Sequence, residues 1–202
     1  MRRLVISALS LSITFALAAG CSSTQKGPRE SVKPTPANIS GAWASACTDP
    51  GNGQAFRLMF DLTETTWALD YEAFSDAACA APSITVHIEG GYELGAASSA
   101  VPGGREGRFD FGKKTVKPHT AGAAGFLAQA CGREGFAAGT ACDISAGCPG
   151  LGAYPMSACP SDHDVVLLDE QGKLHFGLRP QDNNMCTPDK RPTARGLPLS
   201  RR

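Results

Sequence analysis

Three consecutive segments of the chain alternate apolar and polar residues with a period of two, the pattern of β-strands that have one buried face. Short polar or small residues separate them at positions 63–66 and 76–78, so neighbouring strands are expected to pair antiparallel through hairpins. We therefore predict that a β-meander starts between Gly41 and Tyr92. Its apolar positions are Phe56, Leu58, Phe60 and Leu62, then Trp67, Leu69 and Tyr71, then Ile84, Val86 and Ile88.

The remainder of the chain predicts more strands and one helix. The helix is expected over residues 121–130, with Thr120 as its N-cap and Phe126 and Leu127 on its apolar side. We interpret residues 133–159 as loop, and residues from 183 onward as a polar tail that crosses back over the domain. Further strands are predicted at residues 92–94, 109–111, 165–168 and 174–178.

The composition supports many short strands and excludes some partners. Lysine plus arginine and aspartate plus glutamate are both 19, which gives no net charge and no basic surface for nucleic acid. The 23 glycines and 14 prolines suit strands joined by turns better than long solvated helices. We predict an all-β fold with at most one short helix, in a single domain over residues 39–202.

Residues 1–20 have the pattern of a secretory signal peptide. A start with two arginines is followed by an apolar run that is short for a membrane-spanning helix. The run ends Ala18-Ala19-Gly20-Cys21, which resembles the lipobox cut by lipoprotein signal peptidase. Cleavage there would make Cys21 the lipidated first residue of the mature chain. The alternative is an ordinary cleaved signal, with Cys21 as one more thiol.

Residues 21–38 are polar and rich in proline, so they predict a lipidated, flexible tether. The tether would hold the domain close to a membrane of the cell envelope. In a Gram-negative cell, Ser22 after the cysteine favours the outer membrane, facing the periplasm or the cell surface.

Seven cysteines remain after Cys21, and this number is odd. In an exported chain they are expected to form disulfides, with one thiol left free or linked to another chain, unless Cys21 itself is a partner. No two have Cys-x-x-Cys spacing and no histidine stands at zinc-finger spacing, so neither a metal nor a cofactor is expected. The seven are Cys47, Cys79, Cys131, Cys142, Cys148, Cys159 and Cys186.

A series of motifs resembles the domain of the adenomatosis polyposis coli down-regulated proteins, with order and spacing that hold from Gly41 to Leu199. In animals these proteins are membrane-anchored Wnt inhibitors with two such domains, and this chain resembles a single-domain, lipid-anchored bacterial relative. It departs from the family at Thr48, where the family has glutamate, and at Ser200, where the family has cysteine. The motifs include Gly41-x-Trp43-x-Ser45-x-Cys47, Trp67, Tyr71, Asp76-x-x-Cys79-x-x-Pro82, Gly91-Tyr92, Val101-x-Gly103-Gly104, Cys131-Gly132, Gly147-Cys148, Leu174-x-Phe176-Gly177-x-Arg179-Pro180 and Arg191-Pro192-Thr193.

The resemblance implies an antiparallel curved sheet or half-open β-barrel of lipocalin-like architecture, stapled by disulfides. It also implies an apolar cavity that accommodates a lipid or acyl chain. On the family pattern we pair Cys47 with Cys79 and Cys131 with Cys148. Outside that pattern we pair Cys159 with Cys186, which leaves Cys142 over.

Five side chains are candidates for contact with such a ligand. Trp43, Trp67, Tyr71 and Phe74 could line an apolar cavity, and ordinary core packing is the alternative for each. Arg57 could bind an anion at the cavity mouth, and the alternative is a surface or structural ion pair.

No pattern of catalytic residues stands out. Asp162-His163-Asp164 suggests a metal site or a general base, but we interpret it as a solvated lead-in to a strand. His87 alternates with Val86 and Ile88 and is expected to face outward. Ser98-Ser99 lacks the glycine setting of a nucleophile elbow. We therefore do not predict an enzyme.

Three functions remain as hypotheses. The favoured one is an envelope lipoprotein, held at the membrane by its lipid anchor, whose barrel binds a lipid or another hydrophobic molecule. The second is a structural or protein-interaction lipoprotein that docks a partner through an exposed apolar patch. An uncharacterised hydrolase ranks last.

Overall fold

The computed structural model describes residues 34–51 and 53–202. The predicted signal peptide, the candidate lipidation site Cys21 and the tether up to residue 33 lie outside the described residues. The described chain forms ten strands and one α-helix. They are β1 Gly41–Ser45, β2 Phe56–Leu62, β3 Thr66–Phe74, β4 Pro82–Ala97, β5 Arg105–Asp110, β6 Lys113–Pro118, α1 Ala121–Cys131, β7 Cys142–Asp143, β8 Ser161–Leu168, β9 Leu174–Gly177 and β10 Arg195–Arg201.

Eight of the strands close into an antiparallel barrel in the order β1-β2-β3-β4-β5-β8-β9-β10, because β10 pairs with β1. The prediction of an all-β fold with one helix is confirmed, but the barrel is closed rather than half-open. The closing strand lies in the segment that the sequence led us to interpret as a polar tail. Its Leu199 is buried and pairs with Ser45 on β1 and Leu174 on β9. Closure leaves these eight strands without a free edge.

Strand β4 is 16 residues long and replaces the two separate strands predicted there. One side pairs with β3, and the other pairs first with β6 and then with β5. The break between β5 and β6 lies against Gly90, where a Cβ atom would stand 2.0 Å from the carbonyl oxygen of Asp110. Only glycine leaves room for this close approach of two backbones.

Aromatic side chains fill a large part of the barrel interior. Phe60 stacks on Phe176 with 4.2 Å between ring centroids, and Tyr92 stacks on Phe109 at 5.4 Å. Trp67 meets Phe109 edge-on and donates its indole N–H to the carbonyl oxygen of Asp110 at 3.0 Å. This polar partner lets the buried indole avoid the cost of an unpaired donor.

A second, smaller core lies between α1 and the sheet. Leu127 of the helix is fully buried in a cluster that also contains Val116 of β6 and Ile84 of β4. The Thr120 hydroxyl accepts a hydrogen bond from the N–H of Ala123, which confirms the predicted N-cap. Phe126, predicted on the apolar side, is instead 49% exposed. No helix in the described part of the chain is long and apolar enough to cross a membrane.

Three disulfides connect the loops, with the pairings given above: Cys47–Cys79, Cys131–Cys148 and Cys159–Cys186. Cys142 is a free, partly buried thiol on β7. The segment 133–159, interpreted as loop, thus contains the short strand β7. The Cys131–Cys148 bridge links the C-terminal end of α1 to this segment.

Contacts with the barrel begin before Ile39, the first residue of the predicted domain. The Thr35 N–H donates to the carbonyl oxygen of Gly103, and the Thr35 hydroxyl accepts the N–H of Leu168 at 2.9 Å. Thr35 is buried where it makes these two contacts.

Candidate functional site

Two rows of paired side chains cross the part of the barrel formed by β2, β3 and β4 and continue onto β6. Directly paired residues of an antiparallel sheet point to the same face. Phe60 belongs to the barrel core, so both rows face the interior. The first row is Phe60, Leu69, Ile88 and Lys114, and the second is Leu58, Tyr71, Val86 and Val116.

Several members of these rows are only partly buried, although they point inward. We call Leu58, Leu69, Tyr71, Val86 and Ile88 the open wall. Four of them are half-buried, and Tyr71 is 36% exposed. Leu58, Leu69 and Ile88 pack against the barrel core and keep part of their surface accessible. Val86 packs against the core beneath α1.

Tyr71 marks the rim of this accessible region. Its ring stacks on Phe56 with 5.6 Å between centroids, and burial raises the pKa of its phenol. The phenol therefore stays protonated at neutral pH and presents a neutral, amphipathic ring beside the open wall.

The first row ends in a cation. Lys114 is only 5% exposed, and its Nζ lies 3.5 Å from the centroid of the Phe111 ring. Burial lowers the pKa of Lys114, an effect that nearby Asp162 opposes and nearby Arg179 reinforces. Arg179 itself is ion-paired with Asp162 at 2.7 Å, so that carboxylate is already engaged.

The segment Asp162-His163-Asp164 is not the solvated lead-in that we expected. It lies inside β8, where Asp162 and Asp164 are buried on the inner face and His163 faces outward opposite Arg108. The Asp164 Oδ1 accepts the N–H groups of Val165 and Gly177 at 2.7 and 2.8 Å. Burial nevertheless raises the pKa of Asp164 from 3.8 to about 7.

The five candidate ligand residues are distributed over different surfaces. Trp43 and Trp67 are buried in the barrel core, and Tyr71 stands in the open wall. Arg57 lies on the outer face, where it pairs with Glu72 at 2.6 Å and lies over the ring of buried Phe74. The structure therefore brings one of the five, Tyr71, to the accessible part of the interior.

The histidines have partners on the outer face. His87 lies between Asp70 and Glu89, at 2.7 and 3.2 Å. Burial alone would lower its pKa, but the hydrogen bonds to these two carboxylates raise it. His175 is held by Asp169 at 2.9 Å and by a backbone carbonyl. Within residues 34–51 and 53–202, no three histidine, cysteine, aspartate or glutamate side chains gather as metal ligands.

An open groove of about 760 Å³ lies where the β2–β3 turn meets β1 and β4. It is a second candidate for binding, lined by outer-face residues such as Ala68 together with Leu62 and the ligand candidate Trp67, which belong to the barrel core. The lining also includes Gly41, Ala42, Asp61, Thr63, Glu89 and Gly112.

Sequence reasoning missed Lys114, although a signal for it exists. Lys114, Val116 and Pro118 alternate along β6 and are all buried, so a strand assigned there would have placed the lysine inward. The pattern predicts a strand at residues 109–111, and the structure places a further strand, β6, directly after Gly112.

A comparison with protein families supports the identification. The family model described as adenomatosis polyposis coli down-regulated 1 matches residues 19–145, which is more than half of the 202 residues. The matched region includes the open wall, Lys114, the Cys47–Cys79 bridge and α1. This chain belongs to the adenomatosis polyposis coli down-regulated 1 domain family.

Proposed function

We propose that this protein is a binding protein of the cell envelope whose barrel holds a lipid or another hydrophobic molecule against the open wall. The observation that carries the proposal is the exposure of inward-facing apolar side chains such as Leu58, Leu69 and Ile88. Covering apolar surface contributes about 25 cal/mol per Å², so an apolar guest at this wall is favoured over water. Small barrels commonly hold one ligand in this way.

The proposal is a binder and not a catalyst. The carboxylates nearest the interior, Asp162 and Asp164, are engaged by Arg179 and by backbone N–H groups. Histidines 87 and 175, which have carboxylate partners, lie on the outer face, away from the open wall. This arrangement supports binding more directly than proton transfer.

The envelope location and the lipid anchor belong to the same proposal. Their support is the signal-like start of the chain and the small residues directly before Cys21. A binding barrel tethered at a membrane surface would take up or release a hydrophobic molecule close to the bilayer.

A protein-interaction role is the second candidate. The observation in its favour is the exposure of Leu178, which follows β9, and of Leu197 on the neighbouring strand β10. Exposed aliphatic side chains near each other are typical of docking surfaces.

A test can use the full chain with Cys21→Ser, which removes the acylation site and the need for detergent. We expect this protein to bind oleyl alcohol in a titration monitored by tryptophan fluorescence. Leu69→Trp adds a bulky side chain to the open wall. Ala68→Trp adds the same side chain at the preceding residue, which lines the groove. We expect Leu69→Trp to weaken binding at least about tenfold and Ala68→Trp to change it less than about twofold.

Two results would contradict the proposal. Absence of binding by the oxidised, folded protein would refute a hydrophobic ligand. The reverse ranking of the two tryptophan variants would move the ligand from the interior to the outer groove.

A further inference from the structure

Lys114 is unusual because its side chain is almost wholly buried and its charge has no ion-pair partner among the described residues, although its Nζ keeps a small accessible surface. It is 5% exposed, and in the described part of the chain its Nζ has neither a hydrogen bond nor an ion pair. The Phe111 ring contacts it through a cation–π interaction, which compensates only part of the lost hydration.

The neighbouring charges do not supply the missing partner. Asp162 is close enough to act on Lys114 electrostatically, but it forms its ion pair with Arg179. Together these three groups carry a net charge of plus one, and Asp164, which also interacts with Arg179, is only partly ionised near neutral pH because burial raises its pKa to about 7. Excess positive charge in a largely buried site favours the binding of an external anion.

The place of Lys114 in the sheet connects this charge to the apolar region. Lys114 pairs directly with Ile88, and Ile88 pairs with Leu69, so the lysine stands at the end of the row that contains the open wall. From Phe60 to Lys114 the row crosses three strand spacings, or roughly 14 Å. A hydrocarbon chain lying along this row would therefore place its head group near a cation.

We infer that the ligand of this barrel is an anionic amphiphile, an acyl chain that ends in a carboxylate, and that Lys114 binds the carboxylate. This inference rests on the proposed function, since it specifies the chemistry of the same site. Leu69 and Ile88 contact the chain, and the ammonium group of Lys114 forms a charge-assisted hydrogen bond with the head. The guest neutralises the excess charge that the protein leaves uncompensated.

The experiment compares oleate with oleyl alcohol, which have the same hydrocarbon chain and differ in the head group. Calorimetric titrations use the full chain with Cys21→Ser. In this protein we expect oleate to bind roughly 10- to 100-fold more tightly than the alcohol, the range for a hydrogen bond to a charged group.

Lys114→Met keeps the length and apolar stem of the side chain and removes its charge. We expect this variant to lose the preference for oleate, so that oleate and oleyl alcohol bind with similar affinity. Lys117→Met is the matched control, because Lys117 lies on the opposite face of the same strand. It should bind both ligands like the parent, and circular dichroism checks that each variant is folded.

The outcomes separate this inference from the proposed function. Equal binding of oleate and oleyl alcohol by the parent protein would overturn the role of Lys114 and leave a hydrophobic binder, and this result needs no variant. A preference for oleate that persists in Lys114→Met would also overturn it. Binding of neither molecule would refute both statements.

Discussion

Replacing Asp164 with asparagine is expected to raise the free energy of unfolding above neutral pH and to leave it nearly unchanged near pH 4. Asp164 is buried on the inner face of β8, and its Oδ1 accepts two backbone N–H groups. Asparagine keeps an oxygen for both hydrogen bonds and has no charge to bury.

The magnitude follows from the pKa. Burial raises the pKa of Asp164 from 3.8 to about 7, although Arg179 and the two N–H groups oppose the change. The native state therefore retains a proton between these pH values that the unfolded chain has released. Its stability falls as pH rises through this window, at about 1.4 kcal/mol for each pH unit. At pH 8 the ionised carboxylate costs the native state about 4 kcal/mol, which the asparagine variant avoids.

The assay is urea unfolding followed by tryptophan fluorescence from pH 4 to pH 9, for the parent and for Asp164→Asn. The difference between the two proteins cancels the titration of all other groups and isolates Asp164. Asp164→Ala is the control: it leaves two buried N–H groups unpaired, so it should be destabilised by roughly 1–3 kcal/mol at pH 4. A difference between parent and Asp164→Asn that does not change with pH would refute the reasoning.

Three further predictions concern the helix cap, a disulfide and the anchor. Thr120→Ala removes the acceptor for the Ala123 N–H and should cost about 1 kcal/mol in thermal unfolding, whereas no loss would mean that packing alone fixes the helix start. Replacing both Cys47 and Cys79 with alanine opens a loop of sequence separation 32 and should cost about 3–4 kcal/mol in urea unfolding. An unchanged urea midpoint of unfolding would contradict a stabilising role for this disulfide. Mass spectrometry of the N-terminal peptide of the protein from the membrane fraction should find acyl chains on Cys21, and an unmodified Cys21 would disprove the lipid anchor.

Strand positions in the first half of the barrel could be predicted because their pattern is local. Phe56 to Leu62 and Trp67 to Tyr71 alternate with period two, and each strand pairs with its sequence neighbour. The Thr120 N-cap could also be predicted, because its hydroxyl accepts the N–H of Ala123, which is only three residues away.

Closure of the barrel could not be predicted in the same way. Strand β10 begins and ends with an arginine and contains a proline, and it pairs with β1, which is far away in sequence. Only Leu199 of this strand is buried, so its alternation is weak. The partner, and not the strand's own pattern, decides its conformation.

The candidate site illustrates the same limit. Aromatic residues were reasonable candidates for an apolar cavity, but Trp43 and Trp67 pack in the core, and the accessible wall is mainly aliphatic. Which apolar residues stay exposed inside a barrel depends on how completely the opposite side is filled. Here Phe60 stacks on Phe176 and is buried, whereas Leu69, its direct neighbour on β3, keeps part of its surface accessible.

The central claim is that the barrel interior binds a hydrophobic guest along the open wall. Its most direct test is native mass spectrometry of the full chain with Cys21→Ser, purified without detergent from an envelope that contains lipids. We predict one bound acyl-chain molecule per protein, and its loss when Leu69→Trp is introduced. A protein that carries no such molecule, or carries it equally with Leu69→Trp, would contradict the account.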